Sequence, residues 1–161
     1  GNTTASNNTA VGYQALDQNT TGANNIAVGS QALGANTTGD YNVAVGYLAL
    51  DAATTVHNNV AIGYAALTTN TTGDDNVAIG YDALRLNTTG ADNTAVGKSA
   101  MGGAGGNTAN HFTAAQNTAI GRYAMHKMES GAANVAVGNN ALENITTGEG
   151  NIAIGNVVLF T

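Results

Sequence analysis

Asn76-Val77-Ala78-Ile79-Gly80-Tyr81-Asp82-Ala83-Leu84, followed by Arg85-Leu86 and the turn-like Asn87-Thr88-Thr89-Gly90, is one period of a chain that repeats itself. Its first five residues define a block, Asn-x-Ala-(Val/Ile)-Gly. The block recurs at Asn8, Asn25, Asn42, Asn59, Asn76, Asn93, Asn117, Asn134 and Asn151. Every step is 17 residues except Asn93 to Asn117, which is 24, so seven residues are inserted between Gly102 and Gln116. A fixed period of this size signals a solenoid, in which each unit buries its apolar side chains only by stacking on its neighbours.

Each unit holds two short apolar runs, one ending at the first Gly and one at Ala-Leu, separated by Gly and by Asn-Thr-Thr-Gly turn chemistry. We read one unit as one coil with two strands. Helical solenoids are excluded because no stretch between glycines carries the ten or so residues of 3.6-periodic pattern a helix needs. A leucine-rich repeat needs several leucines per unit, and here each supplies a single Leu or Met at the second run's end. The expected fold is all-β, a β-solenoid of nine 17-residue coils forming a single domain over 1–161. Stacked at the usual strand spacing it would be a rod ~43 Å long.

The distribution of charge bears on assembly. Charged residues number fourteen, four basic and ten acidic, and none falls inside any copy of the five-residue block. Side chains alternate across a strand, so the residues flanking Ala share one face while Ala and Gly share the other, and both faces read as buried. One face can pack inside its own coil. The other needs a cover that identical chains around an axis would supply, because each Val or Ile left in water forgoes roughly 1.5–3 kcal/mol. The pattern does not decide which face is which.

The block Asn-x-Ala-(Val/Ile)-Gly-x-x-Ala resembles the head repeat of trimeric autotransporter adhesins, and is also similar to segments of phage tail fibres. That resemblance covers nearly the whole chain. It implies a left-handed parallel β-roll, a homotrimer and a place outside the cell, on a bacterial surface or on a virion tail fibre. It also implies attachment to a host surface protein or glycan. The unit is longer than the commonest adhesin repeat, its Asn-Thr-Thr-Gly turns enlarging each coil.

Composition narrows the function classes further. A net charge of −6 with only four Lys and Arg residues argues against nucleic acid, whose phosphates require clustered cations. The absence of cysteine removes disulfides and thiolate metal sites. No apolar run reaches the roughly 18 residues of a membrane span, and residues 1–10 lack the pattern of a signal peptide. We therefore expect no membrane contact by this segment, no enzyme activity, no cofactor and no metal site. His57, His111 and His126 occupy different positions of the unit and are not brought together by the period.

Candidate binding residues lie outside the block. Tyr13, Tyr47, Tyr64 and Tyr81 all follow the first Gly, and the last three occupy successive coils, so their rings could form a surface ladder that stacks on sugars or simply supports the sheet. The insertion carries Gly102-Gly103-Ala104-Gly105-Gly106 and then Asn110-His111-Phe112, either a binding tip or a tolerated loop with Phe112 folded back. The first Asn of each unit reads as an amide ladder or a left-handed turn residue. Asn19, Asn36, Asn70, Asn87 and Asn144 begin glycosylation-like triplets that read as turn residues. Asp40, Asp74, Asp75, Asp92 and Glu149 read as a solubilising rim. Two alternatives to attachment remain: a purely structural fibre spacer, and an ice-binding solenoid built on the Thr-Thr pairs such as Thr37-Thr38 and Thr71-Thr72.

Overall fold

The computed structural model describes residues 4–103 and 112–159. Each block forms one short strand from its three central residues: β1 (Thr9–Val11), β2 (Ile26–Val28), β3 (Val43–Val45), β4 (Val60–Ile62), β5 (Val77–Ile79), β6 (Thr94–Val96), β7 (Thr118–Ile120), β8 (Val135–Val137) and β9 (Ile152–Ile154). The nine strands form a single parallel sheet in sequence order, with Ala facing Ala at every step. This is a β-solenoid, and each coil takes the number of its strand. The insertion does not disturb the register, since Thr94 still pairs with Thr118 and Val96 with Ile120.

The central Ala of every strand from β2 to β9 is buried, and its two neighbours lie on the opposite, outward face. Inside the coil the Ala column meets Leu33, Leu50, Leu67, Leu84, Met101, Met125 and Leu142, all fully or nearly fully buried. The ambiguity between faces is thereby resolved: Ala looks into the coil, and Val, Ile or Thr looks out of it.

The second apolar run is not a strand, contrary to the two-strand reading. Across it, alternate residues have positive φ, as at Gln31 (59°) and Leu33 (50°), or Asp82 (55°) and Leu84 (50°). A left-handed residue costs roughly 1–2 kcal/mol, and the conformation persists here because each one is tied to a neighbouring coil. Gln31 N–H donates to the Tyr13 carbonyl at 2.8 Å and Leu33 N–H to the Ala49 carbonyl at 3.0 Å. The result turns Leu inward without an extended backbone.

Two amide ladders hold the coil closed. In the first, each block Asn accepts from the backbone of the next, as Asn59 Oδ1 does from Asn76 N–H (3.0 Å), and donates across its own coil, as Asn76 Nδ2 does to the Gly90 carbonyl (2.9 Å). The left-handed residue is the one before it, for example Asn24, Asn58 or Asp75, so the ladder reading holds and the left-handed one does not. In the second, Asn36, Asn70 and Asn87 bond both polar groups of the Gly three residues on. The side chains of Asn19, Asn36, Asn70 and Asn87 are fully buried, which makes them turn residues and not exposed acceptors of a glycan.

Coil 3 breaks the second ladder with a paired change. In coils 1, 2, 4 and 5 a Cβ on the turn Gly would crowd both a backbone carbonyl of the next coil and the Asn Oδ1, at 2.2 and 2.6 Å for Gly73, whereas coils 7 and 8 keep the Gly beside Met128 and Ile145. Coil 3 carries Ala53 in place of Asn and Val56 in place of Gly, both fully buried. The small residue leaves room that the larger one fills, and a polar turn becomes an apolar one.

Candidate functional site

The residue after each strand glycine stands on the surface because that glycine, with φ between 130° and 141°, bends the chain sharply out of the sheet. In coils 3, 4 and 5 this residue is tyrosine. Tyr47 and Tyr64 stack with ring centroids 5.3 Å apart and planes 24° from parallel; Tyr64 and Tyr81 stack at 5.0 Å and 8°. The three residues are 45–49% exposed. Tyr13, 73% exposed, is separated from them by Ser30 and stands outside the stack.

Beyond Tyr81 the same column becomes cationic, with Lys98 in coil 6 and Arg122 in coil 7. The Lys98 Nζ lies over the Tyr81 ring, 5.6 Å from its centroid, and the Arg122 guanidinium over Tyr123 at 4.5 Å. Both are cation–π geometries. Arg85 and Lys127 complete the chain's set of Lys and Arg, so all four lie between residues 85 and 127, in coils 5 to 7 of an otherwise acidic chain.

Arg85 and Lys98, but not Arg122 or Lys127, border an open hollow of about 260 Å³ lined by Tyr81, Asp82, Arg85, Lys98, Ser99, Gly102, Gly103, Tyr123 and His126. Asp82 Oδ2 lies 3.7 Å from Arg85 Nε, whereas its Oδ1 is buried and has no hydrogen-bond partner among the described residues. Burial raises the Asp82 carboxyl above its ordinary range, opposed by the positive charges of Arg85 and Lys98. His126 packs against Tyr123 at 4.9 Å, its Nδ1 3.2 Å from the Ser99 carbonyl, and burial lowers its pKa. A second hollow of about 200 Å³ in coils 1 to 3 is lined by Gln14, Asp17, Gln18, Gln31, Gly34, Ala35 and Asp51, with burial raising the Asp51 carboxyl. Its lining contains no cation and no aromatic ring.

The insertion gives a different result from the tyrosines. Phe112 is 1% exposed, packed in the core, and its backbone bridges Asn87. It is not a binding tip: burial of its ring against the coil outweighs presentation to solvent. His111 lies outside the described residues. Asp82, Arg85, Lys98, Tyr123 and His126 were not among the residues expected from sequence, although the crowding of every Lys and Arg into three coils was a visible signal.

The rim and the threonines are also partly structural. Asp74 Oδ1 accepts from His57 N–H at 2.7 Å, and His57 Nδ1 accepts from Asp40 N–H at 3.2 Å, linking three coils. The first Thr of a pair donates its hydroxyl to the next coil, as Thr37 does to the Thr54 carbonyl and Thr71 to the Thr88 carbonyl. That leaves the second Thr column as the regular hydroxyl array.

Fold and surface together define a parallel β-solenoid repeat protein with a smooth apolar sheet face and a decorated turn face. Compared with known protein families, curated sequences and solved structures, the chain matches none.

Proposed function

We propose that the chain is a segment of an extracellular attachment fibre that assembles as a homotrimer and presents its turn face to a host surface. One observation carries this reading: the outward face of the sheet is apolar along its whole length and uncovered in the single chain. Its eighteen residues, two per strand, are Val or Ile at all positions but Thr9, Thr94 and Thr118. Exposure of Val11 (58%), Ile79 (37%), Ile120 (41%) and Ile154 (70%) makes a continuous strip of the kind soluble monomers rarely leave in water. Resemblance to adhesin head repeats supports three copies as the number that closes around it, on a bacterial cell surface or a virion tail fibre.

Light scattering of the purified chain should give about three times the chain mass. Ile79→Lys, which points a charge into the shared face, should reduce that mass to one chain, since burying an unpaired charge costs more than the contact gains. A stable wild-type monomer would overturn the trimer. Binding of labelled trimer to host cells tests attachment; a trimer that holds no cell surface would be a structural spacer.

A further inference from the structure

The hollow in coils 5 to 7 differs from its counterpart in coils 1 to 3 in having every ingredient of a small polar binding site. Tyr81, 49% exposed, ends the tyrosine stack at its mouth, with Tyr64 on one face of the ring and Lys98 Nζ over the other, so that its edge is what meets solvent. Two cations, Arg85 and Lys98, face one carboxylate, Asp82, leaving one positive charge in surplus on a chain whose net charge is −6. The Asp82 side chain is 23% exposed, and a carboxylate acceptor gains from a hydroxyl that reaches it.

We propose that this hollow binds an acidic saccharide, with one pyranose ring against the exposed edge of Tyr81, its carboxylate beside Lys98 and Arg85, and a ring hydroxyl donating to Asp82. The assignment rests on the attachment reading and names the ligand class for it. A sugar fits where other anions do not. Free phosphate or acetate would use the cations and ignore the Tyr81 ring edge, while an extended polyanion would meet the acidic residues that dominate the remaining surface. The volume, about 260 Å³, is below the roughly 300–1,000 Å³ of drug-sized pockets, so the site takes one terminal sugar of a glycan. Charge-assisted hydrogen bonds to the sugar carboxylate supply orientation as well as affinity. The lowered pKa of His126 keeps its imidazole neutral at pH 7, so it adds a ring edge and not a third charge.

The test titrates the assembled protein with a sialylated trisaccharide, a glucuronate disaccharide, neutral lactose and sodium acetate, followed by saturation-transfer NMR and calorimetry. Both acidic sugars should bind, with lactose and acetate weaker by about tenfold or more, the ratio expected for one charge-assisted contact. Lys98→Met with Arg85→Gln should lower the affinity for acidic sugars about tenfold with no change in assembled mass, Lys98→Arg should retain it, and Tyr81→Ala should weaken binding of the sugars but not of acetate. Equal binding of lactose, or unchanged affinity in the charge-neutralised variant, overturns the proposal. The acidic and neutral pair decides the matter without any variant. If the wild-type fibre holds cells while no saccharide binds, the site falls and attachment stands. If acidic sugars bind while no cell surface is held, the site stands and attachment falls.

Discussion

The strand wall and the turn wall of this solenoid are made from the same 17 residues, yet one hardly varies from coil to coil and the other varies freely. On the strand wall every coil has Asn, Ala, Val or Ile, and Gly in the same places, and no charge. The turn wall carries all fourteen charges, the tyrosine stack, the insertion and both hollows. Backbone conformation explains the contrast. Every strand-end glycine has φ between 130° and 141°, and a Cβ on Gly12 or Gly80 would also meet the next coil's glycine carbonyl, at 2.6 and 2.5 Å. No rearrangement of side chains relieves a left-handed backbone. The turn glycines lie as near a carbonyl, 2.2 Å at Gly39 and Gly73, but are not at positive φ, so a small shift of the turn admits a side chain, as Val56 beside Ala53 shows. Function therefore collects where the repeat can change.

The largest effect should come from breaking the strand wall at that contact. Gly80 has φ +136°, and a Cβ added to it would stand 2.5 Å from the Gly97 oxygen. Gly80→Ala thus combines forbidden backbone with a backbone clash and should cost on the order of 4 kcal/mol. Gly150, on the turn wall, has φ +67° and nothing within 4 Å of its Cβ position; Gly150→Ala should cost only about 1 kcal/mol. Urea denaturation of the two variants measures the difference, and equal costs would show that the walls are not mechanically distinct. Next in size is Asn76→Ala, which strands the Asn93 N–H in a buried place, while the Gly90 carbonyl keeps its bond from Asn87 Nδ2. A loss of about 2 kcal/mol follows from one unsatisfied group.

The strand wall was legible in the sequence almost completely. Nine in-frame blocks give parallel pairing and register directly, because alternation by two leaves only one face for each Ala. The absence of charge in the blocks marked both faces of the strand as uncharged, although only the fold shows that Ala meets the core. The second run was misread for a definite reason. Ala-Leu reports burial, but burial does not distinguish an extended segment from a turn that swings Leu33 or Leu84 inward through positive φ. Its unbranched, weakly β-forming residues were the available warning. The candidate site was half legible. The 17-residue spacing aligned Tyr47, Tyr64 and Tyr81, whereas the hollow required knowing that Asp82 and Arg85 line one space with Lys98 and His126 of later coils.

A smaller effect tests whether the turn wall tolerates change by compensation. Asn70→Ala alone removes two hydrogen bonds to Gly73, and Gly73→Val alone drives a side chain into Asn70 and the Gly90 carbonyl. The double variant copies the chemistry of coil 3. Its cost should be below the sum of the singles by about 1–2 kcal/mol, read as the coupling in a double-mutant cycle of denaturation free energies. Strict additivity would mean that Ala53 and Val56 are independent substitutions.

The smallest effect is electrostatic and belongs to the hollow. His126 titrates below its ordinary 6.5, chiefly because it is buried, with the Ser99 carbonyl and Glu143 acting to raise it and Lys127 and Arg85 to lower it further. The unfolded chain thus takes up this proton first as the pH falls. Stability should decline from pH 6.5 down through the folded pKa and then level off. Asp82 and Asp51 act with the opposite sign at lower pH: both carboxyls titrate above 3.8 in the fold, so the folded chain protonates first and stability rises as the pH drops from their folded values toward 3.8. A plot of melting temperature against pH should show a shallow dip between the two ranges. His126→Gln should flatten its high-pH side, and Asp82→Asn its low-pH side. A dip unchanged by both variants would place the titration outside the hollow, and with it the electrostatic distinction between coils 5 to 7 and the rest of the turn wall.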